Sequence, residues 1–187
     1  MIVALVGMPG SGKSTVGRHL ARHLGLQLAD SDHVIEQRIG MPIRAYFEGH
    51  GEGPFRDLEQ QVIAELCAGD ELVLATGGGA VLREPNRRAL HQACHVFYLR
   101  STPEELFRRL RHDTHRPLLQ GGDPLRRLRE LFRERDPLYR QAAHYVIETG
   151  RPSVPSLVNM VLMQLELAGL VDSTRVPSPI DARPPRA

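Results

Sequence analysis

The sequence contains a single lysine, Lys13, although 24 of its 187 residues are lysine or arginine. A genome that favours arginine codons accounts for the general replacement of lysine and says nothing about function. It makes the one exception informative, because lysine offers a compact ammonium on a flexible stem where arginine offers a planar fork. We therefore expect Lys13 to lie where a point charge is needed.

The chain also has few cysteines, little net charge and no long apolar run. Cys67 and Cys94 lie in apolar helical stretches without the spacing of a metal site, so we expect free thiols in a reducing cytoplasm. A net charge of +2 does not favour a nucleic-acid-binding protein. No run is long enough to span a membrane, and the first residues lack the basic segment of a signal peptide. We expect a cytoplasmic monomer with no membrane or nucleic-acid partner.

Five apolar, β-rich runs alternate with helical patterns along the chain. This alternation predicts the α/β class, with a parallel sheet covered by helices on both faces and one domain over residues 1–170. The strands are predicted at Ile2–Val6, Leu26–Asp30, Glu71–Ala75, His95–Arg100 and His144–Thr149. A basic helix is predicted over Arg126–Arg135, after which Asp136-Pro137 starts a new segment. Residues 171–187 are polar and proline-rich, and we expect a disordered tail.

The segment "GMPGSGKST", Gly7 to Thr15, fits the pattern G-x-x-x-x-G-K-[ST] and lies between a predicted strand and a predicted helix. Its glycines allow successive backbone N–H groups to converge on phosphate oxygens, and the helix N-terminus adds a positive partial charge. The Lys13 ammonium would reach the outer phosphates, and the Ser14 hydroxyl would ligate Mg²⁺. We predict a nucleoside triphosphate site at Gly10, Ser11, Gly12, Lys13, Ser14 and Thr15.

A carboxylate that holds the magnesium shell is missing from the end of the third strand, where many P-loop ATPases and GTPases carry an aspartate. The segment "ADSD" at the end of the second strand offers Asp30 and Asp32 instead. Side chains at i and i+2 of an extended segment point the same way, here toward the sheet edge where open α/β sheets bind ligands. The alternative is a plain helix cap by Asp30 or Ser31, and the sequence leaves both interpretations open.

Three consecutive glycines, Gly77, Gly78 and Gly79, follow the third strand in "ATGGGAV". Each glycine costs backbone entropy on folding, and a simple strand-to-helix turn needs only one or two. The triplet therefore indicates that a ligand approaches the bare backbone at this point.

In order along the chain, "GMPGSGKST", "ADSDHVIEQRIG", "FEGHGEGPFRDLE", "ATGGGAV", "RPLL" and "DPLYR" resemble the shikimate kinase family, over about residues 1–168. The resemblance implies phosphorylation of the 3-hydroxyl of shikimate with ATP and Mg²⁺, in the pathway to aromatic amino acids. It implies a three-layer P-loop kinase fold with the sheet order 2-3-1-4-5. It also implies a mobile substrate-binding segment at about residues 32–60 and a lid at about residues 111–124.

The resemblance also assigns an acceptor site. Arg56 and Arg140 match the family's two arginines that bind the shikimate carboxylate, a group that a planar guanidinium grips with two hydrogen bonds. Asp32 matches the aspartate that binds the ring hydroxyls, and Asp30 matches the residue that holds magnesium-bound water. The three glycines take the position of the missing carboxylate and are assigned to substrate binding.

On the nucleotide side, Arg116 in "HRPLL" matches the lid arginine that closes over the phosphates. With Lys13 and Asp32 it completes the predicted catalytic set. Arg109 matches a residue beside the adenine, and Arg151 lies in "TGRPS" at the position of the family's adenine loop. This loop departs from the family pattern in the placement of Pro152.

Two other functions remain open at this point. A related P-loop kinase of the gluconokinase type would share the phosphate loop and the lid, but not the combination of "GEGPFR" with "TGGGAV". A nucleotide-binding module without catalysis would be expected to lose Asp32, Arg56 and Arg140, all of which are present.

Overall fold

The computed structural model of the chain describes residues 1–111, 122–172 and 174. Within these ranges five strands alternate with eight helices. The strands are β1 (Ile2–Val6), β2 (Leu28–Asp30), β3 (Leu72–Ala75), β4 (His95–Arg100) and β5 (Tyr145–Glu148). The helices are α1 (Lys13–Leu24), α2 (Ser31–Ile39), α3 (Ile43–His50), α4 (Glu52–Cys67), α5 (Glu84–Ala93), α6 (Pro103–Leu110), α7 (Pro124–Ala142) and α8 (Val154–Leu167).

The five strands form one parallel sheet in the order β2-β3-β1-β4-β5. Helices cover both faces, because alternate side chains of β1 enter two separate apolar clusters. Ala4 and Val6 pack with residues of α4, α5, α6 and α7, while Val3 and Leu5 pack with residues of α1 and α8. The predicted three-layer α/β fold and its sheet order are confirmed.

A third, smaller cluster lies away from the sheet, under α2, α3 and α4. Its buried members are Ile35, Phe55 and Val62, with partly buried residues such as Phe47 packed around them. None of the residues of α3 is itself buried. The three helices of the predicted substrate-binding segment are thus held by a modest apolar contact of their own.

α7 is one continuous helix, which corrects the predicted break at Asp136-Pro137. A proline inside a helix removes one backbone hydrogen bond and crowds the preceding turn. Tertiary contacts outweigh that cost here, since the Asp136 carboxylate accepts a hydrogen bond of 2.8 Å from the Tyr98 hydroxyl. The continuous helix places Arg135 and Tyr139 one turn apart on the same side.

Smaller corrections concern the ends of three strands, and β3 begins at Leu72, one residue after the predicted start. β2 begins at Leu28, two residues after the predicted start, and β5 is one residue shorter at each end than predicted. His144 leaves the strand because its ring accepts a hydrogen bond of 3.0 Å from the Val96 N–H at Nδ1.

Two predictions fall on residues outside the described ranges. Residues 112–121 contain Arg116 and most of the predicted lid, and residues 173 and 175–187 make up most of the predicted tail. Among the helices of the described ranges, none combines the length and the apolar character needed to cross a membrane.

Candidate active site

The phosphate loop between β1 and α1 folds around the single lysine. Gly12 adopts a φ of 97° where α1 begins, a left-handed conformation that a residue with a side chain rarely adopts. The Lys13 ammonium donates hydrogen bonds of 2.7 Å to the Gly7 carbonyl and 2.9 Å to the Met8 carbonyl. Only 8% of Lys13 is exposed, so solvent screens its charge weakly.

A cavity of about 420 Å³ lies directly above this loop. Three segments that meet at the carboxyl edge of the sheet form it, as expected for a ligand site in an open parallel sheet. The lining residues are Pro9, Gly10, Gly12, Lys13, Ser14, Thr15, Asp30, Asp32, Thr76, Gly77 and Gly78. Of the predicted nucleotide-binding residues of the loop, Ser11 alone does not line the cavity, since it is buried beneath it.

Asp30 caps α2 with one carboxylate oxygen and contacts the phosphate loop with the other. Its Oδ1 caps α2 by accepting hydrogen bonds from the backbone N–H groups of Asp32 at 3.0 Å and His33 at 3.3 Å. Its Oδ2 accepts a hydrogen bond of 2.9 Å from the Ser14 hydroxyl. A hydroxyl and a carboxylate therefore adjoin at the phosphate cavity, which is the oxygen chemistry that Mg²⁺ prefers when phosphates and waters complete its shell.

The Asp32 carboxylate lies where this cavity meets a second, larger one. Burial, aided by the carboxylates of Glu59 and Asp30, raises the pKa of Asp32 to about 6, while Lys13 opposes the shift. A carboxyl group with this pKa is ionised at neutral pH yet basic enough to accept a proton.

The three glycines after β3 are explained by space rather than by backbone conformation, since none of them has a positive φ. A Cβ on Gly77 would overlap the Asp32 carboxylate, and one on Gly79 would overlap the Arg56 guanidinium. A Cβ on Gly78 would lie 2.6 Å from the ring carbons of Pro9. Three side chains thus converge on bare backbone, and we call Gly77–Gly79 the glycine floor.

The larger cavity, of about 910 Å³, shares Pro9, Asp32 and Gly78 with the phosphate cavity. Its walls come from α2, α3, α4 and α7, so the separately packed helices enclose it against the sheet edge. Its cationic lining residues are Arg44, Arg56, Arg127 and Arg135.

Arg56 of α4 is fixed in this cavity by its neighbours. Its guanidinium donates a hydrogen bond of 2.8 Å to the Glu59 carboxylate and one of 3.3 Å to Glu52. It also lies 5.1 Å from the ring centre of Phe55 and 5.8 Å from that of Phe47. Glu59 is 1% exposed, and burial raises its pKa against the opposing charge of Arg56. The two carboxylates hold the Arg56 guanidinium in place while accepting hydrogen bonds from two of its five N–H groups.

The structure places Arg135 of α7 in the cavity, where the resemblance led us to expect Arg140. The Arg135 Nε is buried and has no hydrogen-bond partner among the described residues. The Arg140 side chain is 48% exposed, pairs with Asp136 at 3.1 Å and does not line the cavity. The physical reason is the continuous α7, because residues 135 and 140 of one helix point in different directions.

The comparison with known proteins can now be set beside this geometry. The sequence model of the family described as shikimate kinase matches residues 9–166 of the chain. The chain belongs to the shikimate kinase family. A shikimate kinase from Paracidovorax citrulli is 60% identical over 180 residues, which cover 95% of this chain and 96% of that protein. One from Burkholderia thailandensis is 57% identical over 169 residues, or 90% of this chain and 92% of that protein.

A solved structure supports the same conclusion. The shikimate kinase from Acinetobacter baumannii in complex with shikimate superimposes with a TM-score of 0.84 at 46% identity, covering 91% of this chain and 95% of that one. The predicted family and its ATP-dependent kinase activity are confirmed by these matches. The gluconokinase-like and inactive alternatives receive no comparable support.

The predicted adenine-side residues lie apart from the phosphate cavity. Arg109 donates hydrogen bonds of 2.9 Å to the Thr149 carbonyl, 3.2 Å to the Ser101 hydroxyl and 3.4 Å to the Gly10 carbonyl. It thereby connects the phosphate loop with the ends of β4 and β5. Arg151 is exposed in the turn after β5.

Sequence reasoning missed Arg135, Glu59 and Tyr139. Tyr139 is fully buried, and its hydroxyl donates a hydrogen bond of 2.6 Å to the Gly78 carbonyl. A signal for Arg135 was present, because Leu128, Leu131, Arg135 and Tyr139 follow the three- and four-residue spacing of one helix face. It was overlooked because the predicted helix ended at Arg135 and the resemblance assigned the second carboxylate-binding arginine to Arg140. A signal for Glu59 was present too, because it stands four residues after Phe55 and four before Ile63 on the apolar face of its helix.

The glycine floor gives a stability test. Gly78→Ala forces a Cβ against the rigid Pro9 ring and should lower the free energy of unfolding by about 1–3 kcal/mol. Gly79→Ala meets the far end of the long Arg56 side chain, which Glu59 holds but which can shift further than the Pro9 ring, and should cost less, about 1 kcal/mol. Gly53→Ala, in α4 with nothing within 4 Å of its Cβ, is the control and should be neutral or stabilising. Urea unfolding of the three variants measures the order, and equal losses for Gly78→Ala and Gly53→Ala would contradict the overlap.

Proposed function

We propose that the chain transfers the γ-phosphoryl group of ATP to the 3-hydroxyl of shikimate, giving shikimate 3-phosphate and ADP in the pathway to chorismate and aromatic amino acids. The observation that carries the proposal is the junction of two anion-binding cavities. The phosphate loop lines one, four arginines that include Arg56 and Arg135 line the other, and Asp32, Pro9 and Gly78 belong to both. A phosphoryl donor and a carboxylated acceptor can therefore meet at Asp32.

On the donor side, backbone N–H groups of Gly10–Thr15 and the N-terminus of α1 bind the phosphates. Lys13 neutralises the outer phosphates once they replace the loop carbonyls as partners of its ammonium. Ser14 and a water held by Asp30 would hold Mg²⁺, which supplies positive charge to the β- and γ-phosphates when bound. Arg109, Arg116 and Arg151 complete the nucleotide site from the lid and the adenine side.

On the acceptor side, the carboxylate of shikimate binds between Arg56 and Arg135. The Nε of Arg135, which is buried and has no hydrogen-bond partner among the described residues, supports this assignment, because such a donor in a cavity favours an anionic ligand. The ring lies over Gly77, Gly78 and Gly79, whose missing side chains leave room for Asp32 and Arg56 to approach. Its 3-hydroxyl then faces the Asp32 carboxylate and the phosphate cavity.

Transfer follows from this arrangement. The 3-hydroxyl oxygen forms a bond to the γ-phosphorus as the bond between that phosphorus and the bridging oxygen of ADP breaks. ADP leaves with the electron pair, and the hydroxyl proton passes to Asp32. Lys13 and Arg116 stabilise the charge on the group in transit, so the protein contributes chiefly position and electrostatics.

The proposal includes one kinase domain over residues 1–170 that acts as a monomer in the cytoplasm. Both cavities lie at the carboxyl edge of the same sheet, which supports a single domain. Cys67 and Cys94 are buried free thiols, the state favoured by a reducing compartment.

An ADP-release assay tests the reaction directly. With ATP and Mg²⁺, ADP should form when shikimate is added, and not with gluconate or a nucleoside monophosphate. ADP formation without any acceptor would indicate an ATPase, formation with gluconate would indicate the gluconokinase type, and no formation at all would indicate an inactive module.

The corrected arginine assignment has a matched pair of variants. Arg135→Lys keeps the positive charge but loses bidentate hydrogen bonding to a carboxylate, so the Kd for shikimate should rise about tenfold or more. Arg140→Lys should leave it unchanged, because Arg140 pairs with Asp136 outside the cavity. Isothermal titration calorimetry measures both in a chain that has no tryptophan reporter. The reverse order of effects would restore Arg140 to the site.

The pKa of Asp32 predicts the pH dependence. Burial raises this pKa to about 6 and the reaction needs the ionised carboxylate, so activity is present above that pH and lost below it. At saturating ATP and excess Mg²⁺, kcat/KM for shikimate should fall about tenfold per unit below about pH 6. The Asp32→Asn variant should have a strongly reduced kcat, and its remaining activity should no longer fall below about pH 6. If the variant keeps kcat and only raises KM, Asp32 binds the hydroxyl without acting as its base.

A further inference from the structure

Tyr139 is a fully buried residue of α7 whose hydroxyl is directed at the active site rather than at the core. It donates a hydrogen bond of 2.6 Å to the carbonyl oxygen of Gly78, in the middle of the glycine floor. Gly78 lines both cavities, and Arg135 lies one helical turn before Tyr139 and lines only the larger one. The hydrogen bond therefore joins the floor of the site to the helix that carries one of its arginines.

The surroundings keep this hydroxyl a donor. Burial raises the pKa of Tyr139 to about 12, with Arg135 and Arg56 opposing the shift. The phenol is thus neutral at every pH at which the protein works. Its ring packs against Tyr98 with the ring centres 4.9 Å apart, so the direction of the O–H bond is constrained by the core.

The floor needs such a restraint. Glycine backbone has more conformational freedom than any other, and three in succession leave the position of the Gly78 carbonyl weakly determined by the chain itself. The Gly77 N–H is held by the Ser31 hydroxyl at 2.9 Å, and the Gly78 carbonyl by Tyr139. One end of the floor is thereby attached to α2 and its middle to α7.

We propose that Tyr139 is a positioning residue for the acceptor. Its hydroxyl fixes the Gly78 carbonyl relative to α7, so that the distance between the glycine floor under the shikimate ring and the Arg135 guanidinium stays constant. The inference rests on the proposed function, because the positioned ligand is shikimate. It does not extend to the nucleotide, which is held by the phosphate loop.

Tyr139→Phe keeps the ring and removes only the hydroxyl, leaving a buried carbonyl without its partner. Its KM and Kd for shikimate should rise roughly 5- to 50-fold, with kcat changed less than about twofold and the Kd for ADP unchanged. Steady-state kinetics and isothermal titration calorimetry measure these quantities, and thermal unfolding reports the stability of the variant.

Tyr98→Phe is the matched control, since it removes the other hydroxyl of the same ring pair. The Tyr98 hydroxyl is bonded to Asp136, which also accepts hydrogen bonds from Arg100 at 3.3 Å and Arg140 at 3.1 Å. This variant should lose comparable stability while keeping wild-type affinity for shikimate. If both variants lose shikimate affinity equally, or if Tyr139→Phe binds shikimate normally, Tyr139 is only a core residue.

A double-mutant cycle with Arg135→Lys gives a second measurement. Because both residues act on the same bound carboxylate and ring, their effects on the Kd for shikimate should be clearly less than multiplicative. Fully multiplicative effects would overturn the proposal. The outcome is separable from the function itself: wild-type protein that releases ADP without needing shikimate contradicts the activity, whereas shikimate-dependent wild type with an unaltered Tyr139→Phe contradicts only this inference.

Discussion

The close approach of side chains to the backbone of Gly77–Gly79 is the constraint on which the site depends. Asp32, Pro9 and Arg56 come from three different segments, and each occupies space that a Cβ on one of the glycines would take. Pro9 belongs to the phosphate loop, Asp32 lies in the first turn of α2, and Arg56 belongs to α4. The bare backbone therefore sets the distance between the donor cavity and the acceptor cavity. A shift in the position of one of the three segments would be transmitted to the other two through these contacts.

The electrostatics of the site follow from the same crowding. Glu59 is buried beside Arg56, and its charge, together with burial, contributes to the raised pKa of Asp32. The acceptor cavity thus contains guanidinium groups that attract a carboxylate and a carboxyl group that is more basic than usual. Binding and proton acceptance are supplied by the same small network rather than by separate parts of the protein.

Most of the fold and the nucleotide half of the site could be predicted from the sequence, because they depend on local patterns. A strand, a glycine loop, the single lysine and a helix follow one another within residues 2–24, and the alternation of strands and helices fixes the layer arrangement. The acceptor half depends on long-range contacts. Local propensity favours a break at Pro137, yet α7 continues through it. The expectation of Arg140 came from the resemblance of "DPLYR" to the family, and only the three-dimensional structure shows that Arg135 is the residue that lines the cavity.

The weak packing of α3 has a consequence for how the protein opens. α3 contributes no buried residue, and the cluster beneath it has only Ile35, Phe55 and Val62 at its centre. Little apolar surface is exposed when this helix separates from its neighbours, whereas separating α1 or α8 would expose a large cluster on the sheet. Among the described helices, α3 should therefore separate at a lower free-energy cost than α1 or α8, and its backbone amides should exchange hydrogen with solvent before those of the central strands. Such an opening would give a small ligand a route into and out of the acceptor cavity while the sheet stays intact.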